Sequence, residues 1–192
     1  MNEPILEPVL RRMRIRQVLP VLRGHRDCRL LDVGCGWEAK LLRAVAPHVG
    51  SAVGIDFKAP RIDDGKIRTI AMTLADTLPF PDAAFDVVTL LAVLEHLAHP
   101  RAMIEEIARV LKPGGQVVLT VPSTAAKPVL EFLAYRVGVV SEAEIRDHKQ
   151  YYNRRLLQSL LRDSGLDIER HRYFQLGMNN LLVARRVARN AV

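Results

Sequence analysis

The sequence predicts an α/β fold in which a mostly parallel sheet is covered by helices on both faces. Seven short apolar runs bounded by turn residues recur along the chain, and helical periods fall between several of them. A glycine turn closes the first run, and folds of this class bind ligands at the C-terminal ends of their strands.

The elements follow in chain order. Residues 5–22 read as a basic helix with Val9, Met13 and Val18 among its apolar positions and Pro20 near its end. The predicted strands are Arg29–Val33, Ser51–Asp56, 67–72, Phe85–Leu91, 116–121, 168–174 and 180–184. Ala39, Leu41, Leu42 and Val45 carry a helical period after the first strand. The clearest helix is 101–111, with Met103, Ile104, Ile107, Val110 and Leu111 on one face and Pro113-Gly114-Gly115 ending it. Another is 154–164, capped by Asn153, buried through Leu156, Leu157, Leu160 and Leu161, and closed by Gly165. Between Asp56 and Ile67, Pro60 and Gly65 leave too little chain for a full crossover helix, so a loop or one helical turn is expected.

A chain of 192 residues, 49% hydrophobic and 26% charged, suits one domain, 1–192, with a real core. Within it, 1–26 reads as an N-terminal basic helical segment and 123–153 as a lid or insertion on the acceptor side. No run reaches the roughly 20 apolar residues that span a bilayer, and the N-terminus lacks a signal-peptide core, so a cytoplasmic location is expected. Cys28 and Cys35 form neither a disulfide framework nor a zinc pattern, and no metal site is expected. The net charge of +7 gathers Arg11, Arg12, Arg14 and Arg16 at one end and Arg185, Arg186 and Arg189 at the other. Without stacking aromatics beside them these read as a solvated basic surface rather than a nucleic-acid face.

The first strand ends in Asp32-Val33-Gly34-Cys35-Gly36. Glycines at a strand-to-helix turn let backbone approach a ligand closely, with free helix N–H groups facing it. Asp56 ends the second strand 20 residues after Gly36, where a carboxylate can accept from both hydroxyls of a ribose. Ala39 stands at the third position of a dinucleotide fingerprint, a tolerated variant, so spacing alone leaves the nucleoside open.

Leu30-Leu31-Asp32-Val33-Gly34-Cys35-Gly36, Val53-Gly54-Ile55-Asp56, the stretch from Leu78-Pro79-Phe80-Pro81-Asp82 to Asp86-Val87-Val88, Val93-Leu94-Glu95-His96 and Leu111-Lys112-Pro113-Gly114-Gly115 occur in that order. Together they resemble the ordered motifs of class I S-adenosylmethionine-dependent methyltransferases of the small-molecule type. The resemblance implies a Rossmann-like, seven-stranded sheet with an antiparallel last strand, and transfer of a methyl group from S-adenosylmethionine to an O, N or C atom of a small-molecule acceptor, leaving S-adenosylhomocysteine. It implies that Asp32 and the Gly34, Cys35 and Gly36 backbone hold the amino-acid end and Asp56 the ribose, and that Leu91 lines the pocket near the sulfonium; Phe57, Ala75 and Asp76 are further cofactor-site candidates, the last two through backbone N–H groups at the adenine.

Two departures from the family pattern stand out. Glu38 replaces a third glycine, where it either faces solvent before the helix or acts on the methionine end. Leu74, not an acid, stands four residues before Leu78, so Asp76 reaches adenine only from a shifted position. Candidate bases for the acceptor are His96 and His148; Glu95 reads as structural. Phe132, Tyr151 and Tyr152 read as pocket wall or as core, and Trp37 as a cover for the cofactor or as packing on the first helix. The rival readings are a nicotinamide-dinucleotide-dependent oxidoreductase, a non-catalytic or partner-dependent member of the fold, and an RNA methyltransferase, which lacks its Asn/Asp-Pro-Pro-aromatic signature here. Acceptor identity and oligomeric state are not legible from these residues.

Overall fold

A computed structural model describes residues 7–132, 146–147 and 149–187. Seven strands form one sheet in the order β3-β2-β1-β4-β5-β7-β6. They are β1 Arg29–Val33, β2 Ser51–Asp56, β3 Ile67–Ala71, β4 Phe85–Leu91, β5 Leu111–Pro122, β6 Leu166–Phe174 and β7 Asn179–Arg186. The first five run parallel, and β7 pairs antiparallel with both β5 and β6. β6 therefore points the same way as β5, and the β6–β7 turn lies at the end where β1, β2 and β4 finish.

Helices cover both faces. On one, α1 (Glu7–Leu22) and α2 (Lys40–Val45) bury Val18, Leu22, Leu41, Leu42 and Val45 against Leu30, Val87, Val118 and Val183. On the other, α3 (Pro100–Val110) and α5 (Arg154–Leu161) bury Met103, Ile104, Ile107, Leu157 and Leu161 against Leu31, Val88, Leu90 and Leu119. A short α4 (Ala126–Phe132) follows β5. No helix among the described residues is long and apolar enough to cross a membrane.

The alternation of one-face residues along each strand explains the two-sided core. In β1, Leu30 faces the α1/α2 layer and Leu31 the α3/α5 layer, both fully buried. Asn180 on β7 is also fully buried, and its amide donates to the Val121 and Tyr152 carbonyls at 3.3 and 3.0 Å. One polar side chain thus ties β7 to β5 and to the chain entering α5.

Several sequence expectations are corrected here. β5 begins at Leu111, so Pro113-Gly114-Gly115 ends α3 from within the next strand, where a register shift near Asp86 absorbs the turn. α5 stops at Leu161 rather than 164, and Leu156 faces solvent because the buried stripe runs through Leu157 and Leu161. The Asn153 side chain does cap α5, accepting from Leu156 N at 3.0 Å. After β2 the chain forms no helix. Instead 62–64 folds back along β3, with Thr69 N donating to Ile62 O at 3.0 Å and Asp64 N to Ile67 O at 3.2 Å.

Cys28 and Cys35 are free and buried, and burial pushes both thiols up to about 12. Cys35 helps fix the spacing of β1, β2 and α2. A Cβ added at Gly54 would lie 2.5 Å from Leu42 Cδ1, 2.8 Å from Cys35 Cβ and 2.9 Å from its Sγ. Gly54→Ala is expected to cost about 1–3 kcal/mol through overpacking, read as a lowered midpoint with an unchanged slope in urea unfolding.

Candidate functional site

The site lies where β1, β2 and β4 end side by side. Gly34 and Gly36 adopt φ +83° and +70°, a region that side chains disfavour. At Gly34 the constraint is also steric, since a Cβ would meet Val93 Cγ2 at 2.3 Å. At Gly36 a Cβ would meet nothing within 4 Å, so the turn exposes backbone to open space.

The turn is tied to the end of β2 rather than left free. Ile55 O accepts from Gly34 N at 2.8 Å and Cys35 N at 3.1 Å. Asp56 Oδ2 accepts from Gly36 N at 3.1 Å, and Oδ1 from Lys58 N at 2.7 Å. The turn's N–H groups are therefore satisfied within the protein. α2 begins only at Lys40, after Ala39 in the left-handed region at φ 49°. A left-handed residue at that point separates the turn from the helix. Glu38, just before it, pairs with Lys40, away from any helical first turn.

Asp32 is 3% exposed and accepts from Thr89 Oγ1 at 2.7 Å through Oδ1. Burial, with Asp56 nearby, raises its carboxyl to about 7 despite that hydrogen bond. A group held in this way favours a cation beside it, because a positive charge restores the ionised form. Leu91 ends β4 partly buried, followed by Ala92 at φ 57°, whose N–H is held by Thr120 O at 2.9 Å.

On the side of β3, Ala75 and Asp76 are exposed. Asp76 is paired with His99 Nδ1 at 2.9 Å, just ahead of α3. The following Leu78-Pro79-Phe80 turn is clasped by α3. Glu106 Oε2 accepts from Leu78 N at 2.7 Å, while Arg109 donates to the Leu78 and Phe80 carbonyls at 3.0 and 2.8 Å and to Asp82 at 2.7 Å. The Arg109 hydrogen bonds hold the Glu106 carboxyl below its usual range. Phe57 is exposed beside Asp56, with Lys58 Nζ 4.9 Å from its ring centroid.

Toward the acceptor, Leu94–His96 forms a 3-10 turn after β4. His96 Nδ1 lies 2.8 Å from Asp147 Oδ2, and Glu95 O accepts from Lys149 N at 2.8 Å. Glu95 is buried, in keeping with a structural role, and Tyr152 is core rather than pocket wall; burial, with Glu95 adding to it, pushes its phenol up to about 12. Tyr151 is half-buried. Trp37 is 60% exposed, and Lys40 Nζ lies 5.7 Å from its ring centroid. His148, residues 133–145 and the Phe132 side chain lie outside what is described.

Comparison with known proteins matches residues 9–171 to the family model of a methyltransferase domain. This chain belongs to the methyltransferase-domain family. It is 32% identical over 175 residues to a 27-O-demethylrifamycin SV methyltransferase of Amycolatopsis mediterranei, covering 81% of this chain and 59% of that protein. It is 35% identical over 126 residues to a demethylmenaquinone methyltransferase of Staphylococcus saprophyticus, covering 60% of this chain and 54% of that one. The chain thus spans somewhat more than half the length of these relatives. In fold it resembles a putative methyltransferase solved in complex with the Haloferax volcanii Trm112 methyltransferase activator, with a TM-score of 0.73 at 18% identity over 95% of this chain and 90% of that one.

Within this methyltransferase-domain chain, sequence reasoning passed over Thr89, His99, Glu106 and Arg109. Thr89 sits in the middle of an apolar strand, where a hydroxyl facing Asp32 on the neighbouring strand was the available signal. The other three act across 23 to 31 residues of sequence, and no local pattern announces them.

The raised Asp32 carboxyl has a consequence for stability. Between about pH 4 and 7 the folded chain holds a proton that the unfolded chain has released, so this group lowers stability as pH rises, by about 1.4 kcal/mol per unit at most. Asp32→Asn is expected to flatten that slope in ligand-free protein, checked by chemical unfolding at pH 5 and pH 8.

Proposed function

We propose that this chain transfers a methyl group from S-adenosylmethionine to an oxygen, nitrogen or carbon of a small-molecule acceptor. The observation that carries the reading is the meeting of Asp32, the open Gly36 turn and Asp56 at the ends of β1 and β2. A buried carboxyl waiting for a cation, backbone that a ligand can approach, and an acid with unused lone pairs form a donor set suited to an ammonium and a ribose. The printed functions of the rifamycin and menaquinone relatives support a small-molecule acceptor. Free, buried Cys28 and Cys35 suit a cytoplasmic setting.

In this reading Asp32, with carbonyls of the turn, holds the ammonium of the methionine end. The Asp56 oxygens each accept one backbone hydrogen bond and keep a lone pair for a ribose hydroxyl. Phe57 lies along the adenine, Ala75 and Asp76 close its edge, and Leu91 lines the pocket. When bound, S-adenosylmethionine supplies an electrophilic methyl group on a sulfonium. The protein's task is then alignment and proton removal. Asp147 at Nδ1 orients the ring of His96, the group assigned to take the acceptor's proton.

Calorimetric titration with S-adenosylhomocysteine tests the cofactor half: binding is expected, and Asp56→Ala should weaken it at least about tenfold through lost charge-assisted hydrogen bonds. Absence of binding by either cofactor form sinks the reading. Since a bound ammonium returns Asp32 to its ionised form, affinity should also fall as the pH drops from 8 to 6, and this dependence should vanish in Asp32→Asn. Labelled methyl incorporation into a cell extract tests the acceptor half. His96→Gln should lower its rate about 10²-fold or more while leaving S-adenosylhomocysteine affinity intact.

A further inference from the structure

Eight large apolar side chains stand strongly exposed among the described residues, and at least five of them lie on segments at one end of the molecule. Trp37 follows β1, Phe57 follows β2, Val129 lies on α4 after β5, and Leu176 forms the β6–β7 turn. Val9 joins them because α1 begins at that end: Gln175 Nε2 in the same turn donates to Leu10 O at 3.2 Å. Phe57 belongs to the adenine side, which leaves four with no duty in the site.

Their exposure is extreme at one position. Leu176 is 98% exposed, against 60% for Trp37, 53% for Val9 and 40% for Val129. The turn holds it there at a cost, since Gln175, Leu176 and Gly177 all take positive φ, at 52°, 56° and 85°. Scattered exposed apolar residues are ordinary, but these four stand on segments that share the end of the sheet where the site lies.

Cations accompany them. Arg12 stands one helical turn after Val9 and is exposed, Lys127 precedes Val129 by two residues and is exposed, and Lys40 lies over the Trp37 ring. Four acids at this end are engaged among the described residues: Glu38 by Lys40, Asp56 by backbone, Asp76 by His99 and Asp147 by His96. Apolar and indole side chains ringed by Lys and Arg are the composition that partitions into the interface of an anionic bilayer. A second copy fits less well, because a two-fold contact would bring Arg12 and Lys127 of both copies together.

We propose that the chain docks this end onto an anionic lipid surface, with Leu176, Val9, Val129 and Trp37 entering the interface and Arg12 and Lys127 meeting lipid phosphates. The site then opens toward the bilayer, and its acceptor is an apolar molecule taken from it; this second part rests on the methyltransferase reading.

Trp37 is the only tryptophan, which gives a direct reporter. The full chain is mixed with vesicles of equimolar phosphatidylglycerol and phosphatidylcholine, or of phosphatidylcholine alone, and followed by co-sedimentation and Trp37 emission. The expected result is partition into the anionic vesicles with a blue shift, weakened at least about tenfold by Val9→Ser with Leu176→Ser, and as much by Arg12→Glu with Lys127→Glu. No partition overturns the proposal. So does partition indifferent to the Val9 and Leu176 changes, which signals charge attraction only, and so does concentration-dependent self-association abolished by Leu176→Ser, which assigns the face to a second copy. Calorimetry with S-adenosylhomocysteine in vesicle-free buffer reports separately on the methyltransferase reading.

Discussion

The site depends on how the glycine turn is fastened to the end of β2. Ile55 O and the Asp56 carboxylate together take the N–H groups of Gly34, Cys35 and Gly36. A turn with three unsatisfied donors would have to find water or close into a helix. Bonded to β2, it is fixed relative to Asp56, so the two parts that recognise a nucleoside are set by one hydrogen-bonded junction. The positive φ values of Gly34 and Gly36 follow from this, because the chain must reverse within the width of one strand pair. Gly54 is bare for the same reason: the turn lies so close over β2 that Cys35 and Leu42 occupy the space of a side chain.

Much of this architecture is legible in the sequence. The bounds of β1, β2 and β4 follow from short apolar runs ended by Asp-Val-Gly, by Asp56 and by polar breaks, since buried parallel strands leave that signature. α3 shows its face clearly, because Met103, Ile104 and Ile107 repeat with helical spacing. Boundaries that depend on partners were less legible. β5 extends through Pro113-Gly114-Gly115 only because Phe85 is there to pair with Leu111. Leu156 looks like its neighbours in sequence and differs only in what lies opposite.

The site divides in the same way. Asp32, Gly36 and Asp56 are placed together as the motif order implied, since each lies at the end of a strand whose neighbour is set by the sheet. The use of the Gly34 and Cys35 N–H groups was not legible, because their acceptor is the Ile55 carbonyl 20 or so residues away and carries no side-chain signal. The clasp on Leu78-Pro79-Phe80 was equally hidden. Arg109 and Glu106 read as ordinary charges on the outer side of a helix, and only the fold reveals that they shape the loop beside Asp76.

The stretch 62–64 gives the outer margin of the sheet a particular character. By returning along β3, with Asp63 opposite Arg68 and bonds at Ile62, Asp64, Ile67 and Thr69, it uses up main-chain groups that another strand would pair with. An open margin is a template on which foreign chains assemble. Closing it with the protein's own loop removes a route to aggregation during folding.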